Sequence, residues 1–170
     1  KLLDRWIVAQ PIPKATGRVD WVAGASLMMR WKVLEEIGLF DENFFLYFEE
    51  TDLCRRAALA GWPTDYVLES RVVHIGSAST GMKEWGRIPG FWLDSRLHYF
   101  VKNHGRAYSC VATLALLAGA GLWRARLLFQ SKDLGDPPFY LRDLTRHALK
   151  KAFTSLRRGG SAPTQTRPIA

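Results

Sequence analysis

The sequence has few cysteines and no apolar run long enough for an unambiguous membrane span. Cys54 and Cys110 are the two cysteines among 170 residues. They form neither a disulfide framework nor the paired ligands of a zinc site. A reducing compartment, the cytoplasm, is therefore expected. Residues 1–10 lack the apolar core of a signal peptide. The chain starts without Met and in mid-pattern, so we expect it to be a segment of a longer protein.

Charge is distributed unevenly along the chain. The apolar content of 48% with seven Trp and nine Phe excludes general disorder. Residues 1–100 carry 12 Lys and Arg against 13 Asp and Glu, whereas residues 101–170 carry 12 against 3. A basic C-terminal third could meet nucleic acid, an anionic membrane or solvent. Nucleic acid ranks last, because no nucleic-acid motif is visible and the cations are not interleaved with aromatics.

Hydrophobic spacing predicts a mixture of short strands and helices in the first part of the chain. We expect a buried strand over Val19–Arg30 and a helix over Lys32–Ile37 that Gly38 ends. A second helix is predicted over Glu49–Ala60, before Gly61. Short strands are predicted at Trp62–Leu68 and Arg71–His74, and a helix at Phe91–Lys102. A last, amphipathic helix is predicted over Phe139–Leu156, with one apolar stripe formed by Leu141, Leu144, Ala148, Leu149, Ala152, Phe153 and Leu156.

Three carboxylates lie in the first turn of the predicted second helix: Glu49, Glu50 and Asp52. The helix dipole favours negative charge there by about 0.3–1 kcal/mol each, which accounts for one or two of them. The apolar run Phe44–Phe48 precedes them and should be buried. Carboxylates beside apolar walls have raised pKa values, which suits a general base. Helix-start stabilisation and catalysis both remain open from the residues alone.

The order of several motifs resembles the second half of family 2 glycosyltransferases with the GT-A fold, especially bacterial rhamnosyltransferase-like members. The resemblance covers about residues 19–75, with a weaker continuation from Ser95 to Gly105. Its motifs are Trp21-Val-Ala-Gly-Ala, Ile37-Gly-Leu-Phe-Asp-Glu-Asn-Phe-Phe, Glu49-Glu-x-Asp-Leu-Cys-Arg, Gly61-Trp and Val73-His. It implies an α/β fold: the acceptor-side half of a GT-A domain followed by a helical C-terminal extension.

The resemblance also implies an inverting displacement at the acidic helix start. The family's base, the second acid of a Glu-Asp pair, falls on Glu50, where Glu replaces Asp. Asp52 is the next candidate or an acceptor contact, and Glu49 holds the helix start or a neighbouring cation. Arg55 could approach phosphate or the acceptor, or, like Arg56, could form an ordinary helix ion pair.

Three more residues are candidate contacts in the sugar and metal sites. Trp21 and Gly24 resemble the strand leading into the sugar pocket, although a lone Trp in an apolar run is often core. His74 is a candidate ligand of the divalent ion, Mg²⁺ or Mn²⁺, or a structural residue. Asp41 and Glu42 form another acid pair, but a turn below the acceptor site is the favoured role.

The family's donor half carries an Asp-x-Asp motif, and these 170 residues contain none. We therefore expect a chain that is inactive alone. The expected donor is a nucleotide-sugar, dTDP-rhamnose as the first guess, and the acceptor a glycan or a polyprenyl-diphosphate-linked sugar. The alternative is a non-catalytic glycosyltransferase-derived scaffold at the membrane.

The sequence divides into four predicted segments. Residues 1–18 are a connecting segment, and residues 19–105 form the acceptor-side part of the GT-A domain. Residues 106–158 form a basic helical extension that could lie at a membrane surface, and residues 159–170 a disordered tail. Residues 107–123 give 17 uncharged positions, the lower limit for a span. A helix packed on the domain or lying on the cytosolic face of the plasma membrane is favoured over a span.

Overall fold

The computed structural model describes residues 12–73, 86–128 and 139–157. The chain divides into two compact units, Lys1–Met82 and Lys83–Ala170. The helices and strands are β1 (Gly17–Val19), α1 (Trp31–Ile37), α2 (Glu49–Leu59), β2 (Thr64–Tyr66), α3 (Gly90–Leu128) and α4 (Tyr140–Arg157), with a 3₁₀ turn at Gly24–Ser26.

The first unit contains a short antiparallel ribbon. β1 pairs with β2 in the register Gly17 to Tyr66 and Val19 to Thr64. Thr16 extends the pairing, because its hydroxyl accepts the backbone N–H of Leu68 at 3.0 Å. The ribbon therefore fixes the two ends of the segment that holds α1 and α2.

The core of the first unit lies between α1, α2 and the loop that joins them. Its buried apolar side chains are Val33, Phe44, Leu53, Cys54 and Ala57. Gly38 ends α1 with a φ of 79°, a conformation that glycine adopts without steric cost. Its N–H donates to the Leu34 carbonyl at 2.8 Å. α2 ends in the same way before Gly61, whose φ is 85°.

The structure confirms the predicted helices and one predicted strand, since β2 lies inside the strand predicted at Trp62–Leu68, and it corrects the other strands. α1, α2 and α4 lie within one or two residues of their predicted bounds, and α3 contains the helix predicted from Phe91. The buried strand over Val19–Arg30 is wrong beyond Val19. A buried strand needs a neighbour on each side, and the sheet in the described residues has two strands. Residues 71–73 are irregular, and His74 lies outside the described residues.

The apolar run before α2 is less buried than predicted. Phe44 is 7% exposed, whereas Phe45 is 79% exposed. Leu46, Tyr47 and Phe48 are half-buried. The expectation that the whole run is core was wrong, because Tyr47 and Phe48 leave extended geometry and turn the chain into the helix.

In the second unit α3 is two helical arms joined at Gly105. That residue has a φ of 84° and a ψ of 168°, which no helix accommodates. The Arg96 guanidinium donates from Nη1 to the Thr113 hydroxyl at 3.2 Å and from Nη2 to the Ala112 carbonyl at 3.3 Å. In a straight helix, residues 17 apart are separated by about 25 Å. The arms, residues 90–104 and 106–128, therefore fold back against one another.

α4 packs against α3 and divides the apolar stripe predicted for it. Leu144 is 2% exposed, and two groups of α4, His147 and Lys151, bind Asp94 at 2.9 and 2.6 Å. Leu149 and Phe153 are 66% and 62% exposed. The predicted stripe is therefore covered on one side and exposed on the other, since Leu149 lies about 140° around the helix from Leu144.

One helix in the described ranges, Gly90–Arg126 within α3, is long and apolar enough to cross a membrane by length and composition alone. In its most apolar 18-residue stretch, 6% of the residues are buried. The boundary between the compact units falls at residues 82 and 83. The four-segment division expected from the sequence stays a prediction.

Candidate active site

The acidic turn at the start of α2 follows two residues in a left-handed backbone conformation. Tyr47 has a φ of 69° and Phe48 a φ of 70°. This region costs a residue with a side chain about 1–2 kcal/mol. Such conformations persist where the surrounding structure imposes them, and they cluster at functional sites. The reversal sets the direction of α2, whose first backbone bond runs from the Asp52 N–H to the Phe48 carbonyl at 2.9 Å.

Glu50 lies beside the backbone of Gly24. A β-carbon built on Gly24 would stand 3.7 Å from Cβ and 3.9 Å from Cγ of Glu50. An alanine would be in ordinary contact there, and a larger side chain would press on the carboxylate arm. The Glu50 Oε2 atom is buried and has no hydrogen-bond partner in the described part of the chain. The structure thus brings together Gly24 and Glu50, which are 26 residues apart.

Glu49 carries a second buried and unpartnered oxygen, also Oε2. Burial raises the pKa of the Glu49 carboxyl above its ordinary value of 4.5, and the nearby charge of Glu50 adds to the rise. A hydrogen bond with its own backbone amide opposes both effects. The adjacent carboxyls are therefore placed so that Glu49 holds a proton more readily than an exposed glutamate does.

We expect Glu49→Gln to raise the melting temperature at pH 7. A carboxyl whose folded pKa is raised stabilises the fold below pH 4.5 and loses that contribution as pH rises through the folded pKa. The gain from the substitution should therefore shrink as pH falls and vanish below about pH 4. Thermal unfolding between pH 3.5 and 8 measures it, with exposed Glu42→Gln as the matched control. A Glu49→Gln protein less stable than the parent at pH 7 would contradict this.

Asp52 is committed to the interior of the first unit. Its side chain is fully buried, and its Oδ2 accepts a hydrogen bond from Arg56 Nε at 2.9 Å. The same guanidinium donates to three backbone carbonyls: those of Ile37 at 2.5 Å, Gly38 at 3.2 Å and Leu39 at 2.7 Å. Asp52 and Arg56 thereby clamp the end of α1 onto α2. This geometry favours a supporting role for Asp52, whereas the Oε2 atom of Glu50 has no hydrogen-bond partner among the described residues.

The other predicted site residues have different surroundings. The Trp21 side chain is 51% exposed, three residues before Gly24. Arg55 is half-buried on the second turn of α2. Asp41 forms the predicted turn, because its Oδ1 accepts the Asn43 backbone N–H at 3.0 Å and the Asn43 side-chain amide at 2.7 Å. The predicted metal ligand His74 lies outside the described residues.

Comparison with known proteins now decides the family. The sequence model of the family described as glycosyl transferase family group 2 matches residues 3–130. The chain belongs to this family. Membership implies an α/β fold of the GT-A type, which agrees with the small sheet and helices of the first unit. No solved structure matches the chain.

Two curated relatives are similar to part of this chain. The N-acetylglucosaminyl-diphospho-decaprenol L-rhamnosyltransferase of Mycobacterium tuberculosis is 40% identical over 63 residues, which are 37% of this chain and 20% of the relative. Rhamnosyltransferase WbbL of Escherichia coli is 38% identical over 56 residues, 33% of this chain and 21% of the relative. The chain matches about a fifth of the length of each relative, and it is rhamnosyltransferase-like as predicted.

The described residues form no complete metal site. Among residues 12–73, 86–128 and 139–157, no group of three His, Cys, Asp or Glu side chains is arranged to hold a metal ion. Glu49 and Glu50 supply two carboxylates without a third ligand. The divalent ion and its ligand His74 therefore stay predictions.

Sequence reasoning missed two features of this site. Neither Tyr47 nor Phe48 carries a signal for positive φ, since glycine and asparagine are the residues that usually indicate it. The contact of Gly24 with Glu50 joins elements far apart in sequence. Within α2, the i, i+4 spacing allowed the Asp52 and Arg56 pair without choosing between Arg55 and Arg56.

Proposed function

We propose that this chain is the acceptor side of an inverting glycosyltransferase in which Glu50 is the general base. The observation that carries the proposal is the buried, unpartnered Oε2 of Glu50 beside the bare backbone of Gly24. A carboxylate oxygen left without a donor can accept a proton from a bound hydroxyl. The glycine leaves room for a sugar to approach from the backbone side.

The proposed reaction is a single displacement. Glu50 takes the proton of the acceptor hydroxyl, and the oxygen forms a bond to the anomeric carbon of the donor sugar. The bond from that carbon to the diphosphate oxygen breaks with inversion, and the nucleoside diphosphate leaves. A divalent ion, Mg²⁺ or Mn²⁺, would neutralise the charge on that leaving group. Among the described residues its ligand set is incomplete.

The names of the relatives indicate which donor sugar and which acceptor to propose. One relative transfers L-rhamnose to N-acetylglucosaminyl-diphospho-decaprenol by its name. We propose rhamnose from dTDP-rhamnose as the transferred sugar and a polyprenyl-diphosphate-linked glycan as the acceptor. Such an acceptor would place the enzyme at the cytosolic face of the plasma membrane, in cell-surface polysaccharide synthesis.

The proposal is tested with the full-length protein of the same gene. We expect transfer of radiolabelled rhamnose from dTDP-rhamnose to a short-chain polyprenyl-diphospho-N-acetylglucosamine, with the anomeric configuration inverted in the product by NMR. Parallel reactions with UDP-glucose and UDP-N-acetylglucosamine serve as donor controls. Transfer with retention of the anomeric configuration would contradict the single-displacement mechanism. Absence of transfer from every nucleotide-sugar, with folded protein, would favour the non-catalytic scaffold.

A further inference from the structure

An apolar row runs along the outer face of the second arm of α3. Val111, Leu114 and Leu122 are 64%, 60% and 73% exposed. At 100° per residue they fall within a sector of about 80°. Two small exposed residues, Ala115 and Ala118, continue the same face. No charged residue occurs over 107–123, so this outer row is an uninterrupted apolar surface about 16 Å long.

The opposite face of the same arm is already packed. Ser109 is 3% exposed, and Thr113 accepts the hydrogen bond from Arg96. The Thr113 hydroxyl in turn donates to the Ser109 carbonyl at 2.8 Å. The arm therefore has a fixed inner face and a fixed outer face. The outer row is presented by a docked helix.

The contacts of Arg96 argue against a transbilayer position for this arm. Its guanidinium binds Ala112 and Thr113, near the middle of the uncharged stretch. A span would carry that cation, and the adjoining first arm with Asp94 and Lys102, into hydrocarbon. Charged groups at that depth cost at least about 2.5 kcal/mol each. A helix lying in the interface buries its outer face alone and leaves the inner contacts intact.

Cations accompany the outer row. Exposed Arg126 follows the uncharged stretch and lies about 60° around the arm from Val111. On α4 the exposed Leu149 and Phe153 stand with exposed cations, namely Arg142, Arg146 and Lys150. Residues 101–170 as a whole hold 12 Lys and Arg against 3 Asp and Glu. This excess of positive charge repels a second copy of the same surface and attracts an anionic one.

We propose that the second unit docks on an anionic lipid bilayer through Val111, Leu114 and Leu122, with the second arm of α3 parallel to the membrane plane. The exposed cations of α4 add attraction to the headgroups. The inference goes with the proposed lipid-linked acceptor, because it would hold the enzyme at the surface where that acceptor resides. Vesicle binding requires no sugar transfer, so the two proposals fail separately.

The first test is co-sedimentation of the 170-residue chain with vesicles of phosphatidylcholine and phosphatidylglycerol, three to one. We expect binding that weakens with added salt and on pure phosphatidylcholine. The triple variant V111Q/L114Q/L122Q should lower the partition coefficient about tenfold or more. These side chains are exposed, so folding should be retained, which circular dichroism checks. The control L39Q/L59Q/V67Q replaces three exposed apolar side chains of the first unit and should bind as the parent does.

The second test measures how deeply the second arm of α3 lies in the bilayer. Single cysteines at positions 111, 118 and 122, in a Cys110→Ser background, carry an environment-sensitive dye, while Cys54 is fully buried and out of reach. Quenching by brominated lipids should give one shallow depth for all three positions. A depth that increases toward position 118 would replace the proposal with a span. Absence of binding, or a dimer that the triple variant abolishes, would overturn it.

Discussion

Replacing Glu50 by Gln in the full-length enzyme should lower the rate of sugar transfer by about 10²–10⁴-fold, the usual contribution of a general base. Gln keeps the length and the contact with Gly24 but cannot take the acceptor proton. Nucleotide binding, measured by calorimetry, should stay at the parental value, because the base acts on the acceptor. If the Glu50→Gln protein keeps the parental melting temperature, the lower transfer rate reflects loss of the base and not loss of the fold.

Two further variants sharpen the assignment of Glu50. Glu50→Asp should retain measurable transfer, since it restores the acid that the family resemblance places here with a shorter arm. Glu42→Gln, an exposed acid eight residues earlier, should leave the rate unchanged. Parental turnover in Glu50→Gln would remove Glu50 as the base.

Breaking the Asp52 and Arg56 pair should be the most destabilising single change in the first unit. Arg56→Met leaves the fully buried Asp52 carboxylate without its cation and removes the donors to the Ile37, Gly38 and Leu39 carbonyls. Loss of one partner of a buried pair costs about 3–5 kcal/mol, and the 20% exposure of the Arg56 side chain places the expectation near 3 kcal/mol. Urea unfolding followed by circular dichroism measures it.

The matched control is an exposed pair with the same separation. Arg18 Nε and Asp65 Oδ1 also stand 2.9 Å apart, but their side chains are 66% and 52% exposed. Arg18→Met should cost less than about 1 kcal/mol. The double variant D52N/R56M should be more stable than the sum of the single variants predicts, because it removes both charges together. Equal costs for Arg18→Met and Arg56→Met would show that burial does not set the effect.

How far the sequence predicts this protein depends on the range of each interaction. α2 and α4 follow from local apolar spacing, and the Asp41 turn follows from the hydrogen-bonding habit of one side chain. The prediction of a strand over residues 19–30 was wrong because a strand hydrogen-bonds to residues distant in sequence, which a local pattern does not reveal. A helix bonds within itself. The position of Glu50 in the first turn was predictable.

The surroundings of Glu50 were less accessible to sequence reasoning. The approach of Gly24 and the clamp on three carbonyls depend on tertiary packing. Local pattern also placed Leu149 and Phe153 on one apolar stripe with Leu144, but it could not show that α3 covers Leu144 and leaves the other two exposed.

Because the chain reverses at Gly105, the rotational register of each arm of α3 fixes which residues of the two arms face each other. Arg96 lies nine residues before the glycine and Thr113 eight residues after it, and they meet because both counts turn the correct faces inward. One inserted residue in either arm would rotate the contact by about 100° and carry Arg96 away from its acceptors. Natural variation in this hairpin should therefore change side chains at constant length.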